Sequence, residues 1–587
     1  MPTHAPRVPL ARGYRWAALV GTLALICLGC HRTAPSPDPP AVAPATAMTP
    51  GDCRLAVLVV FDQMRADYLE RWRELWGEGG FRRLQADGAW FTNCHYPFAC
   101  TETGPGHATL ATGRLPSSHG IIGNYWYDRQ TGGDVYCVTG TRPYEGVPAG
   151  AAGDGPSTPE RLLGPTISDT LREASGGQSR VVSLSLKDRA AVFLGGRRPE
   201  ACYWFDLWTG GFMTSTYYRD QPHPWVTEFD RARPADRWFG KDWTRLRPEL
   251  DYPAHSGPDD VPGEATGWKQ GRTFPHPMTG GLDQLQKEQY ANKDYYGAVS
   301  TSPFGNELLL ELAKKAIDAE HLGGGASPDL LCLSFSATDA IGHSWGPDSQ
   351  EVLDAVLRAD RLVADLLAHL DARVGPGRYL FIMTSDHGVC PLPEVTHARG
   401  QDAGRVSPKR LTEDANAILQ QAHAPGGEKG RWVEATAENW LYLNHALLAQ
   451  RGVKAADAEA TLARGLKDRP GVLAAYTRTQ LAGGGPADDP VGQAVRRSFY
   501  PDRSGDVVVV LKPYYVPGED LVGTTHGSPH PYDTHVPLLV YGLGVRPGPR
   551  AEAVTPQAVA GILAAGLGVT PPAGAEAPVP DVFQPKP

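Results

Sequence analysis

The stretch LAVLVVFD, residues 55–62, decides the fold: seven consecutive apolar residues rich in Val, closed by a single Asp. A run of this length has no polar face to offer water, so it fits a strand covered on both sides. Five further runs share its character: VVSLSL (181–186), LLCLSF (330–335), YLFIMT (379–384), VVVVLK (507–512) and VPLLVYG (536–542). Between them, NELLLELAKKAIDAEHL (306–322) and SQEVLDAVLRADRLVADLLAHLDARV (349–374) carry helical periodicity. In the second, Val352, Leu353, Val356, Leu357, Leu362, Leu366 and Leu367 form an apolar stripe opposite charged residues. Strands alternating with helices predict an α/β fold, a mostly parallel central sheet flanked by helices on both faces. Ligands of such sheets bind beyond the carboxyl ends of the strands, which is where Asp62 falls.

Asp62 has company. Asp339 and His343 follow LLCLSF in SFSATDAIGH, Asp386 and His387 follow YLFIMT in FIMTSDHG, and His526 lies in GTTHGSPH. Three Asp and three His are the ligand types and number expected of two adjacent divalent metals. Thr103, in CTETGPGHATLATG, adds a hydroxyl just ahead of a helix start at HATLATG, where backbone N–H groups and the helix dipole favour a bound oxyanion. Each residue alone has a plainer use: Asp62, Asp339 and Thr103 as helix caps, His343 as a surface residue, Asp386 and His387 as a polar loop pair. Only their joint occurrence at the ends of apolar runs points to metal-assisted hydrolysis of an ester with a charged tetrahedral centre. His107, His119, His530 and His535 read as supporting rather than ligating residues.

The 587 residues carry a net charge of −9, and 41% of them are hydrophobic, an ordinary composition for a globular enzyme. Arg7, Arg12 and Arg15 precede the apolar stretch WAALVGTLALICLGC, which reads as an export signal in residues 1–30. Its end, CLGC, resembles a bacterial lipoprotein cleavage box with Cys30 as the lipidated residue, departing from it at Cys27. Removing the leader arginines leaves 53 basic against 65 acidic residues, a balance that argues against nucleic acid as a partner and leaves small phosphorylated substrates. A monomer is expected, exported to the periplasm or tethered to the outer membrane by a lipid on Cys30.

Residues 31–52, rich in Pro and Ala, read as a flexible tether. A catalytic domain is expected over 53–570, with insertions at about 200–300 and 400–505 that form a lid or rim, and a C-terminal tail at 571–587. Seven cysteines follow Cys30, with no metal-type spacing. Export permits disulfides among them, for example among Cys94, Cys100 and Cys137.

The strings FDQMRADYL, TETGPGHATLATGRLPSSHGIIGNYWYD, SLKDRAAV, SATDAIGHSWGPDS, TSDHGV and THGSPHPYDTHVPLL together resemble the alkaline phosphatase superfamily. More narrowly they are similar to its type I phosphodiesterase/nucleotide pyrophosphatase-like branch and the bacterial phosphate-irrepressible phosphomonoesterases within it. The resemblance implies two zinc ions: Asp339, His343 and His526 on one, Asp62, Asp386 and His387 on the other, with Thr103 as nucleophile on the second. It also matches Asn124 to a contact with a phosphoryl oxygen, and Lys187 and Arg189 to a cationic pair of the monoesterases, which do without a third metal there. A phosphodiesterase on the same scaffold is the alternative. A sulfatase is disfavoured, because TGPGH lacks the Cys or Ser and Arg of a formylglycine motif.

Overall fold

The computed structural model describes residues 52–151, 155–287, 292–518 and 522–584; the leader and tether readings, with Cys30, lie outside them. Ten strands form the central sheet: β1 (Leu55–Phe61), β2 (Ala89–Phe91), β3 (Gly146–Val147), β4 (Val181–Ser185), β5 (Ala201–Phe205), β6 (Phe212–Ser215), β7 (Asp329–Phe335), β8 (Tyr379–Thr384), β9 (Leu538–Gly542) and β10 (Gly548–Arg550). Their spatial order is β10-β2-β9-β8-β1-β7-β4-β5-β6-β3. The five central strands, β8-β1-β7-β4-β5, are mutually parallel. β9 and β6 run antiparallel to their inner neighbours.

The apolar runs are continuous because both faces of these strands are covered. Val57, Val59 and Phe61 of β1, with Leu331, Leu333 and Phe335 of β7, pack on one side among Leu308 and Leu312 of helix α3 (Pro303–Ala319) and Leu353 and Leu366 of α5 (Gln350–Arg373). Ala56, Leu58 and Val60, with Leu330 and Cys332, pack on the other side among Leu110 of α1 (Thr103–Thr112) and Ile562 and Leu563 of α6 (Ala558–Leu567). The α2 helix (Asp188–Gly195) follows β4, and α4 (Ala337–Trp345) follows β7.

Two expectations are corrected. The run 507–512 is not a strand of this sheet: Val507–Leu511 lies inside a separate four-stranded antiparallel sheet with Trp440–Leu443, Val472–Thr477 and Val433–Ala437. Residues 200–300 are not a rim around the site. They begin with two strands of the main sheet, and Trp225, Trp238, Trp243, Tyr252 and Tyr295 bury themselves among the side chains around α3 and α5. Residues near the C-terminus close onto the core, with Val582 buried in it and Phe583 bridging to Val545. All seven cysteines among the described residues are free and buried, Cys94 and Cys100 in one apolar cluster and Cys137 in another, where they pack as small hydrophobes. No helix among the described residues is long and apolar enough to cross a membrane.

Candidate active site

Parallel strands end on one edge, and that edge collects the predicted residues. Asp62 follows β1 directly, its N–H donating to Phe335 O of β7 at 3.1 Å. Asp386 and His387 follow β8, while Asp339 and His343 sit one turn apart on the same side of α4. Thr103 is the first residue of α1, with Glu102 as its N-cap, so the helix begins four residues earlier than the sequence suggests. The glycines after Thr103 allow this helix to approach closely: a Cβ on Gly106 would stand 2.3 Å from Asp386 O.

Two groups of side chains have ligand atoms within 4.8 Å of one another: Asp62, Asp386 and His387, and Asp339, His387 and His526. His387 stands between the groups, its ring stacked on that of His526 at 3.6 Å. His343 joins through Nε2, 3.2 Å from Asp339 Oδ1. Each of the three imidazoles donates Nδ1–H to a backbone carbonyl: His343 to Thr524 O at 2.7 Å, His387 to Gly388 O at 2.9 Å, and His526 to Thr101 O at 2.8 Å. That fixes the tautomer and turns every Nε2 lone pair into the site, the arrangement a metal-binding histidine needs. Asp62 Oδ1 and His387 Nε2 are buried without a hydrogen-bond partner. Three carboxylates and three oriented imidazoles therefore fit a pair of divalent ions of the zinc type.

The electrostatics show how crowded the charges are. Burial, then Asp386, pushes the Asp62 carboxyl well above the usual range, although Lys187 opposes the shift. Burial would also raise Asp339, but His343 and Lys187 outweigh it and hold its pKa well below the usual range. Asp386 is lowered in the same way by His387 and His107, and burial takes His387 down to about 3, so its imidazole is neutral and available as a ligand.

Beside these groups lies a cationic corner. Lys187 Nζ is 2.7 Å from Asp62 Oδ2, 2.5 Å from Asp339 Oδ2 and 3.4 Å from Thr103 Oγ1. Arg189 Nη2 is also 3.4 Å from Thr103 Oγ1, and its Nη1 donates to Tyr136 OH at 3.2 Å. Tyr136 in turn donates to Asp188, so Arg189 is steered from behind. Asn124 Oδ1 accepts from Gly104 N–H at 2.9 Å, which leaves its Nδ2 as the donor for the cleft. Thr103, Asn124, Arg189, Asp339, His343 and His526 line a cleft of about 530 Å³ together with Lys409, Thr412, Thr436, Glu438 and Asn439. Part of the 400–505 segment thus does border the site.

Sequence reading missed several partners. Gln63, at φ 69°, donates from Nε2 to Asp339 Oδ1 at 2.7 Å and from its backbone to Asp386 Oδ1 at 3.1 Å, tying the two groups together. Glu102 accepts from Asn124 N–H at 2.8 Å; burial and the neighbouring Glu438 hold its carboxyl well above the usual range. Of the histidines read as supporting, His107 bridges Thr103 O, Ser334 Oγ and the Asp386 carboxylate.

This sheet, with Asp and His gathered at its carboxyl edge around a threonine, defines a class. The chain belongs to the type I phosphodiesterase / nucleotide pyrophosphatase family, matched over residues 56–533. Within it, the chain is similar to alkaline phosphatase PafA of Elizabethkingia meningoseptica, 34% identical over 497 residues that cover 84% of this chain and 88% of the relative. Alkaline phosphatase PhoV of Synechococcus elongatus is 35% identical over 509 residues, 87% of this chain and 88% of the relative. The crystal structure of wild-type PafA matches at a TM-score of 0.82 and 32% identity, covering 91% of this chain and 99% of that one. The family resemblance carried by the motifs is borne out.

Proposed function

We propose that this chain is an exported, two-zinc alkaline phosphatase that releases inorganic phosphate from small phosphate monoesters through a phosphothreonine at Thr103. The observation that carries the reading is the convergence of Lys187 Nζ and Arg189 Nη2 on Thr103 Oγ1, each at 3.4 Å. A monoester dianion has one more charged oxygen than a diester, and two fixed cations around the nucleophile favour it. The names of PafA and PhoV support the same activity.

Asp339, His343 and His526 would hold one zinc and Asp62, Asp386 and His387 the other, with Thr103 as a further ligand. When bound, such ions lower the pKa of a hydroxyl and neutralise charge on attacking and leaving oxygens. Lys187, Arg189 and Asn124 Nδ2 bind and orient the phosphoryl oxygens. The Thr103 oxygen gives up its proton and bonds to phosphorus as the ester P–O bond breaks and the alcohol leaves. Water then cleaves the phosphothreonine, returning a proton to Thr103 and releasing phosphate; two in-line displacements give net retention. The runner-up, a phosphodiesterase, shares every residue except the two cations' purpose.

The deciding measurement compares kcat/KM for an aryl phosphate monoester and its methyl diester. The monoester should lead by orders of magnitude, and Lys187→Ala with Arg189→Ala should cost the monoester far more than the diester. A diester preference, or equal losses, overturns the assignment. Mass spectrometry of the mature N-terminus tests the lipid on Cys30.

A further inference from the structure

The hairpin that begins at Asn124 is gripped by the four-stranded lobe. Its strands, Tyr125–Asp128 and Gly133–Tyr136, pair with each other. At the tip, Arg129 donates to Leu443 O at 3.0 Å, pairs with Glu434 and Asp506, and lies over the Tyr442 ring at 5.2 Å. At the base, Glu102 accepts from the Asn124 N–H, while the Glu438 carboxyl meets both Glu102 and the Tyr125 N–H. The approach is close enough that a Cβ on Gly123 would stand 3.2 Å from Glu438 Cγ.

Glu438 is an unexpected residue for its backbone. It occupies the turn between Val433–Ala437 and Trp440–Leu443 at φ 50°, a conformation that suits Gly or Asn. It also lines the catalytic cleft. A side chain kept where the backbone disfavours it, and aimed at the loop holding a substrate-facing amide, has a role that the turn alone does not require.

We propose that Glu438 is a positioning residue for Asn124: from the lobe it fixes the Glu102 carboxyl and the Tyr125 N–H, and so sets the Asn124 amide against the Gly104 N–H and the phosphoryl group. The proposal rests on the phosphatase reading of Asn124 as a phosphoryl contact. It makes the lobe a structural part of the active site, acting through the hairpin rather than through contact with phosphate.

The test compares Glu438→Ala, Glu438→Gly and Glu438→Gln, each alone and with Asn124→Ala, by kcat/KM on an aryl phosphate and by thermal melting. Ala and Gly should each lose kcat/KM on the order of tenfold. The Gly variant should melt no lower than wild type, because Gly accepts this φ freely. Gln should recover most of the loss, since its amide can donate to Glu102 and accept from Tyr125. With Asn124 already Ala, removing Glu438 should change kcat/KM by less than about twofold, the coupling expected of residues acting as a unit. Equal losses in both backgrounds, an unaffected Gly variant, or a Gln variant as poor as Ala would each overturn the proposal. Failure of the underlying reading looks different: wild-type enzyme without monoesterase activity, or Asn124→Ala without a loss.

Discussion

Asp533 lies in the one-turn helix Pro531–Thr534 that follows the His526 loop, and its carboxyl is buried with Oδ2 accepting from Ser528 N–H at 2.9 Å and from Ser528 Oγ at 2.5 Å. Burial pushes it up to about 8, against about 3.9 in an unfolded chain. A raised carboxyl favours the folded state at acid pH, and that contribution is lost as pH rises from about 4 to about 8, because the unfolded chain gives up the proton first. Asp533→Asn keeps the acceptor and removes the titration. Relative to wild type it should therefore gain stability across that window, on the order of 1–3 kcal/mol, and level off above it. Denaturant unfolding at about pH 5, 7 and 9 checks this; a constant difference between the two proteins would refute it. Residue-level reading stops where a role depends on contact between distant segments. Asp62, Asp386 and His387 were legible because each closes an apolar run. Gln63, Glu102 and Glu438 were not, since their roles exist only through contacts such as Gln63 to Asp339, 276 positions apart.

At the scale of elements, the misplaced strand is the instructive one. Val507–Leu511 reads like a core strand because it is one: Val507, Val509 and Leu511 pack on one face with Leu462 and Leu466, while Val508 and Val510 pack on the other with Trp440, Tyr476 and Phe499. Burial on both faces produces the same apolar run whether the sheet is the main one or a lobe's, so composition could not tell which. The lobe's grip on the Asn124 hairpin is testable through Arg129. The Asp506 side chain is 1% exposed. Burial raises its carboxyl, but His445 and Arg129 more than offset that and hold it below the usual range. Arg129→Ala leaves that carboxylate with only His445 and the Leu443 N–H. Because Arg129 is about a third open to solvent, the expected cost is modest, about 1–2 kcal/mol. It should fade as pH falls below about 4, where a depressed carboxylate finally protonates. Urea unfolding at neutral and acid pH measures both; an undiminished deficit in acid would remove the charge explanation.

For the whole molecule, the alternation of apolar runs and helical stripes predicted the parallel sheet with helices on both faces, because burial of that kind leaves a periodic mark. Residues 200–300 left none: their Trp and Tyr side chains pack around α3 and α5 from helices and a strand of eight residues or fewer, too short for a period to link one buried ring to the next. The metal-type residues come from four places in that architecture, the ends of β1 and β8, the first turns of α4 and the loop at His526. A ligand bound by all four can form its contacts only when the sheet is assembled, so its binding energy becomes folding energy for the entire domain. Without an ion, three buried carboxylates share one neighbourhood, and Asp386 and Asp339 both push Asp62 upward. Chelation should therefore lower the unfolding midpoint of the whole chain, and added zinc should restore it, by about 4 kcal/mol once free zinc exceeds its dissociation constant a thousandfold. Calorimetry with and without zinc gives the shift directly, and Asp62→Asn with His387→Ala should abolish most of it. A zinc-independent midpoint in the wild type would show that these six residues do not form the site.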